Sequence, residues 1–86
     1  AMAANIDGEG TYNMACVACH SSGAAGAPIV GAVDSWAPRI AKGIDALYNS
    51  GINGIAGGGM MAKGGRADLS DAAVMAAVDF MVENSQ

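Results

Sequence analysis

Cys16, Cys19 and His20 are the only two cysteines and the only histidine among 86 residues, and they fall within one short segment. The run Cys16-Val17-Ala18-Cys19-His20 is Cys-x-x-Cys-His, the spacing by which haem is attached covalently to a chain. On a helix, Cys16 and Cys19 lie about one turn apart and His20 follows four residues after Cys16, so all three project to one side. Two thiols so placed form thioethers to the haem vinyl groups, and the imidazole becomes the proximal ligand beneath the iron. Other uses of these residues are weaker. A dithiol redox pair expects a βαβ neighbourhood. Structural zinc expects four Cys or His ligands, where the chain has three. A plain structural disulfide does nothing to fill the core.

The second axial position must come from another residue type, and the six Met are the first choice. Met2 sits at a terminus. Met14, Met75 and Met81 fall on predicted helices, where Met at helical spacing packs a core. Met60 and Met61 lie together in a Gly-rich segment, where the backbone can approach a flat group closely. The residues by themselves leave both open as the sixth ligand. A ligating His gives its other ring N–H to an acceptor that fixes the ring, and the Pro28 carbonyl in the following loop is the expected one. Haem propionates are anionic and want donors. Arg39 and the indole N–H of Trp36 are the expected pair, whereas Lys42 and Lys63 read as solvated surface charges.

The elements that must position these residues are helices. Asp7 is a predicted N-cap for a first helix over about 8–18, with Glu9 in its first turn. Gly8, Tyr12 and Cys16 then share a face, and Gly8 lets the last helix cross closely with Tyr12 and Phe80 packed alongside. Residues 21–33 read as an ordered loop around Pro28. Asp34 or Ser35 caps a short helix carrying Trp36, with Pro38 in its first turn. Gly43 breaks that helix. Ile44, Leu47 and Tyr48 have helical spacing, with Gly51 as the expected stop. Residues 51–65 read as a second loop. Ser70, Asp71, Val74, Ala77, Val78 and Met81 mark a final amphipathic helix. No segment alternates as a strand does, so the fold class is all-α and residues 1–86 read as one domain.

Composition says what such a fold lacks. Of the residues behind the 52 % hydrophobic fraction, 19 are Ala, while Leu, Ile, Val and Phe together number 15, about 17 % of the 86. That falls below the roughly 20 % at which a chain struggles to fold. The 13 Gly add to the entropy of ordering it. A covalently held haem supplies the missing apolar bulk. A net charge of −4 with four Lys+Arg excludes nucleic acid as a partner. The longest uncharged run, 10–33, carries Asn, His, Ser, Gly and Pro, so no transmembrane segment is expected. No signal peptide is visible at Ala1, which reads as a mature chain.

Several segments beyond the haem signature resemble class I c-type cytochromes of the cytochrome c5 family. They are Gly8-x-x-x-Tyr12-Asn13, Gly26-Ala27-Pro28, Trp36-x-Pro38-Arg39, Leu47, Gly59-Met60-x-x-Lys63-Gly64 and Ser70-Asp71, in this order over nearly the whole chain. The family's distal motif is similar to Met-Pro-Pro-Lys-Gly. Laying Lys63-Gly64 on its end puts Met60 on the ligand, with Met61 and Ala62 in place of the two Pro. Members often carry a further Cys pair before the last helix, where this chain has Arg66 and Leu69, so that disulfide is not expected.

The resemblance implies a small cytochrome c fold of three to four short helices around one haem c, with His20 and Met60 as axial ligands. It implies a periplasmic electron carrier of a bacterial respiratory chain rather than an enzyme, either a monomer or a weak dimer. The expected partners are redox proteins: an upstream quinol-oxidising complex or cytochrome, and a terminal oxidase. With propionates added to the net charge, a basic or apolar patch on the partner is favoured. The competing readings are a haem sensor or peroxidase-like protein with a detachable Met, and a tightly bound subunit of a larger redox enzyme. Rapid carbon monoxide binding by the reduced protein marks the first, and co-purification with a partner marks the second.

Overall fold

The computed structural model of the protein describes residues 7–55 and 60–86. Met2, and Gly59 of the distal motif, lie outside the described residues. Among those described, the chain is helical with no strand. Helix α1 (Gly8–Thr11) runs into a π-helical segment (Tyr12–Cys16) and on into α2 (Val17–His20). A 3-10 turn (Ala24–Gly26), α3 (Val33–Ile40), α4 (Ile44–Asn53), a second 3-10 turn (Ala62–Gly65) and α5 (Asp71–Glu83) follow.

The two best-marked helices start where their caps predict. Asp7 accepts the Gly10 N–H at 2.9 Å, and the Ser70 hydroxyl accepts the Ala73 N–H at 3.1 Å, each satisfying a first-turn donor that has no helical partner. Val74, Ala77, Val78 and Met81 are buried along α5 as their spacing requires, with Ala76 and Val82 beside them. This face packs against Tyr12 and Trp36 to form the core. α1 lies so close across α5 that a Cβ on Gly8 would collide with the Ala76 carbonyl oxygen. The Tyr12 and Phe80 rings meet beside this crossing at 5.2 Å between centroids.

Three local expectations are corrected. The first helical run extends to His20 and contains the π segment, in which the Val17 N–H reaches back five residues to the Tyr12 carbonyl. Second, α3 begins at Val33 with Ala32 at its N-cap, so Pro38 stands inside the helix rather than in its first turn. The carbonyl of Asp34 thereby loses its helical donor. Asp34, Ala37 and Pro38 are all exposed, so water can serve that carbonyl. Third, Gly51 does not end α4. It is buried within it, where a Cβ would lie 3.1 Å from both Val74 Cγ1 and Val78 Cγ2. The missing side chain lets α4 lie on α5. The stop is Gly54, at φ 77°, whose N–H bonds the Ser50 carbonyl.

A second tie joins α4 to α5. The Tyr48 hydroxyl donates to Asp79 Oδ1 at 2.5 Å. That hydrogen bond, then burial, then the charges of Asp79 and Asp45 push the Tyr48 pKa up to about 12 from the ordinary 10. A raised folded pKa means stability that is fully present below pH 10 and lost as pH climbs toward 12. Tyr48→Phe is therefore expected to melt lower than wild type at pH 7, with the gap closing between pH 10 and 12. Thermal melts across that range check it; a gap that stays constant removes the hydrogen bond as its cause.

Candidate cofactor site

α2 and the loop behind it are built to fix His20. Gly23, in the left-handed region at φ 79°, turns the chain after α2, and its N–H bonds the Cys19 carbonyl at 2.8 Å. The loop then returns alongside His20, and four consecutive residues each make a tie: two to His20, one to Trp36 and one to Ser85. The Pro28 carbonyl lies 2.9 Å from His20 Nδ1. The Ile29 carbonyl accepts the Trp36 indole N–H at 3.0 Å. The Val30 N–H donates to the His20 carbonyl at 2.9 Å. The Gly31 N–H donates to the buried Ser85 hydroxyl at 2.9 Å, fastening the loop to the end of the chain.

The contact with Pro28 decides the tautomer of His20. A carbonyl can only accept, so Nδ1 carries a proton and, in the neutral imidazole, Nε2 keeps the lone pair that a metal ligand requires. The ring is 7 % exposed and stands 6.0 Å, centroid to centroid, from the Trp36 ring. Burial and two contacts hold it in one orientation.

Beside this histidine lies a cavity of about 340 Å³, partly open to solvent. Cys16, Cys19, His20, Ala27 and Pro28 form one wall. Trp36, Leu47, Val74, Val78 and Met81 line it from α3, α4 and α5, and Ile55, Met60, Met61, Gly64 and Leu69 come from the segment before α5. Both cysteines are free thiols, Cys16 half-buried and Cys19 exposed. Burial, and then the neighbouring Cys19, push the Cys16 thiol above its usual range. Met60 is half-buried whereas Met61 is 63 % exposed. The Met60 carbonyl accepts the Ile55 N–H at 3.0 Å.

The charges are sorted as well. Arg39, Lys42 and Lys63 line the cavity, and among the described residues no carboxylate does. Arg39 donates through Nη1 to the Ser35 carbonyl at 2.6 Å, which leaves most of its guanidinium donors free. These features fit a covalently held haem. The cavity falls in the size range of a cofactor site, two cysteines line it beside a histidine whose Nδ1 is held by a carbonyl, and Arg39 and Lys42 are cations in its lining that can pair with propionates.

Two expectations about donors change. The Trp36 indole N–H is taken by the Ile29 carbonyl, so Trp36 packs the cavity and holds the loop rather than offering a hydrogen bond into it. Lys63 is not a solvated charge. Its side chain is 21 % exposed, donates to the Leu69 carbonyl at 2.7 Å and pairs with Asp71 at 3.0 Å. Sequence reasoning misses the π segment that carries Cys16, because nothing in the types of Tyr12–Cys16 marks it; such segments recur at functional sites.

Among the described residues, an all-helical fold whose haem-attachment signature lines an apolar cavity together with Met60 and Met61 defines a small class I c-type cytochrome. The chain belongs to the family described as cytochrome c oxidase, cbb3-type, subunit III, matched over residues 3–81. It is 48 % identical over 81 residues to a cytochrome c-555 of Chlorobaculum tepidum, covering 92 % of this chain and 75 % of that one. It is 38 % identical to a cytochrome c-551 of Halorhodospira halophila, covering 88 % and 96 %. The fold matches a chain in the crystal structure of an electron transfer complex of nitrite reductase with cytochrome c, with TM-score 0.85, 41 % identity, and 93 % and 95 % of the two chains covered. It also matches the reduced cytochrome c551 of Ectothiorhodospira halophila, with TM-score 0.73 and 35 % identity over 91 % and 99 %. The protein is thus an electron-carrying c-type cytochrome whose cofactor is haem c with iron.

Proposed function

We propose that the chain is a monohaem carrier of single electrons in the periplasm, within a respiratory chain, and that its iron is held by His20 and Met60. Cys16 and Cys19 are the thioether anchors in this reading. The observation that carries it is the bond between His20 Nδ1 and the Pro28 carbonyl, which leaves Nε2 as the ligating atom in a cavity that Met60 also lines. Bound haem supplies a one-electron Fe(II)/Fe(III) couple.

The chain's own residues set how that couple is used. Pro28 keeps the imidazole in one orientation, so the ligand need not move between oxidation states. Two protein ligands leave no coordination position for a substrate, which supports transfer rather than catalysis. Val74, Val78, Met81 and Trp36 keep water from the inner side. Arg39 is the propionate donor, and the exposed Ala18 and Ala24 present small side chains where a partner can approach. Contacts with partners are small and short-lived, as in redox encounters generally.

The donor we favour is a quinol-oxidising complex or another cytochrome. On the acceptor side the support is the neighbour solved with nitrite reductase. A redox enzyme of that kind is a better-supported acceptor than the terminal oxidase implied by the c5 resemblance.

The test is the visible spectrum of the oxidised and reduced protein beside Met60→Ala and Met61→Ala. Wild type is expected to be low-spin with a weak far-red methionine–iron band, which Met60→Ala loses and Met61→Ala keeps. The reverse pattern moves the ligand to Met61. A high-spin wild type that binds carbon monoxide rapidly replaces the carrier with a ligand-binding haem protein.

A further inference from the structure

The turn that follows Met60 takes an expensive backbone path. Lys63, Gly64 and Gly65 are all left-handed, at φ 55°, 62° and 84°. Glycine adopts this conformation freely and an L-residue does not. Lys63 is the only residue other than glycine with positive φ among those described. Strain of this sort persists only where surrounding contacts hold it, and it collects at functional sites.

The contacts that hold it are on both sides of the turn. The Lys63 ammonium donates to the Leu69 carbonyl at 2.7 Å and meets Asp71 Oδ1 at 3.0 Å, which ties the turn to the start of α5. Gly64 is pressed onto the Ala15 carbonyl so tightly that a Cβ there would collide with it. Ala15 directly precedes the first haem-anchoring cysteine. Upstream, the Ile55 N–H holds the Met60 carbonyl, and a Cβ on Gly54 would lie 2.7 Å from that same oxygen. Met60 therefore sits between a backbone hydrogen bond before it and a side-chain clamp after it. This sequence has no proline at positions 61 and 62 to stiffen the link between them.

We propose that Lys63 is a positioning residue for the distal ligand: clamped to Leu69 and Asp71, it holds the turn so that the Met60 thioether stays on the iron. The proposal rests on the reading of Met60 as that ligand. Asp71 is two-thirds exposed at its side chain, so the charge pair is open to salt, while the bond to the Leu69 carbonyl is half-buried and less so.

The experiment measures carbon monoxide association with the reduced protein and the far-red band of the oxidised protein. Lys63→Met is expected to raise the association rate about tenfold and weaken the band, the effect of losing one charge-assisted hydrogen bond and its ion pair. Asp71→Asn, which keeps the bond to Leu69, is expected to give about threefold, and the double variant no more than Lys63→Met alone. Lys63→Arg restores the wild-type rate. Tyr48→Phe, which lowers the melting temperature from a site outside the turn, leaves rate and band unchanged. Wild-type rate and band in both Lys63→Met and Asp71→Asn would overturn the positioning role, even if both melt earlier. Should Lys63→Met fail to load haem, Asp71→Asn decides. Met60→Ala is measured alongside: a band that survives there refutes the ligand assignment itself, which separates that failure from a failure of the clamp.

Discussion

A Cys16→Ser, Cys19→Ser double variant is expected to show no cooperative far-UV melt. The reason is volume. The fully buried part of the described core is Tyr12, Trp36 and one face of α5, where Ala76, Ala77, Val74, Val78 and Val82 are small; Ile40, Leu47, Tyr48 and Phe80 pack against it half-buried. At the centre lies the cavity of about 340 Å³. A chain that kept its fold without filling this space would leave the apolar lining of Leu47, Val74, Val78 and Met81 against water and forfeit its burial. Ordinary domains have only about 0.05–0.15 kcal/mol of stability per residue, so a fold this small has little margin to lose that burial. Without thioethers the cofactor is free to dissociate, and the helices have too little to close on. Circular dichroism in the far ultraviolet against temperature checks this; a sharp transition in the variant would show that the protein core is sufficient by itself.

The second large effect is at Gly8, where two rules oppose each other. Replacing a helical Gly by Ala ordinarily stabilises by about 0.5–1 kcal/mol. Here the new Cβ meets the Ala76 carbonyl, which is backbone in the middle of α5 and cannot rotate away. Relief requires α1 to lift from α5 along the crossing that also brings Tyr12 onto Phe80. Overpacking of this kind costs about 1–3 kcal/mol, occasionally more, and it outweighs the propensity gain. Gly8→Ala is expected to be destabilised by about 2 kcal/mol, which lowers the melting temperature of a domain this size by about 8–16 °C. Thermal melts of the haem-loaded protein check the sign. A Gly8→Ala variant that melts at or above wild type would mean that the helix crossing gives way more easily than its geometry indicates.

The parts of the fold that follow from the sequence are those written in local chemistry. Ser70 with Asp71 and the 3–4 spacing of Val74, Ala77, Val78 and Met81 specify α5 and its inward face. Asp7 starts the first helical run. Cys-x-x-Cys-His names its own cofactor, because no other use of three such residues within five positions suits a chain with so few large apolar side chains. The closeness required of Gly8 was also legible, since a glycine in a first helix opposite two aromatics has few other uses.

What the sequence left undecided depends on neighbours distant along the chain. Gly51 has the signature of a helix stop, and only the Val74 and Val78 side chains across from it show that it is a contact point. The indole N–H of Trp36 was free to serve a propionate until the loop brought the Ile29 carbonyl to it. Lys63 looked like any surface lysine, because its type says nothing of the left-handed backbone beneath it or of the Leu69 carbonyl and Asp71 that hold it. The π segment at Tyr12–Cys16 likewise has no sequence mark. Residue type and spacing determined that this chain carries a haem-attachment signature and which helices surround it. Only the tertiary structure decided how the residues of that signature are held, because hydrogen-bond partners and close approaches between segments far apart in sequence are set by packing and not by any local preference.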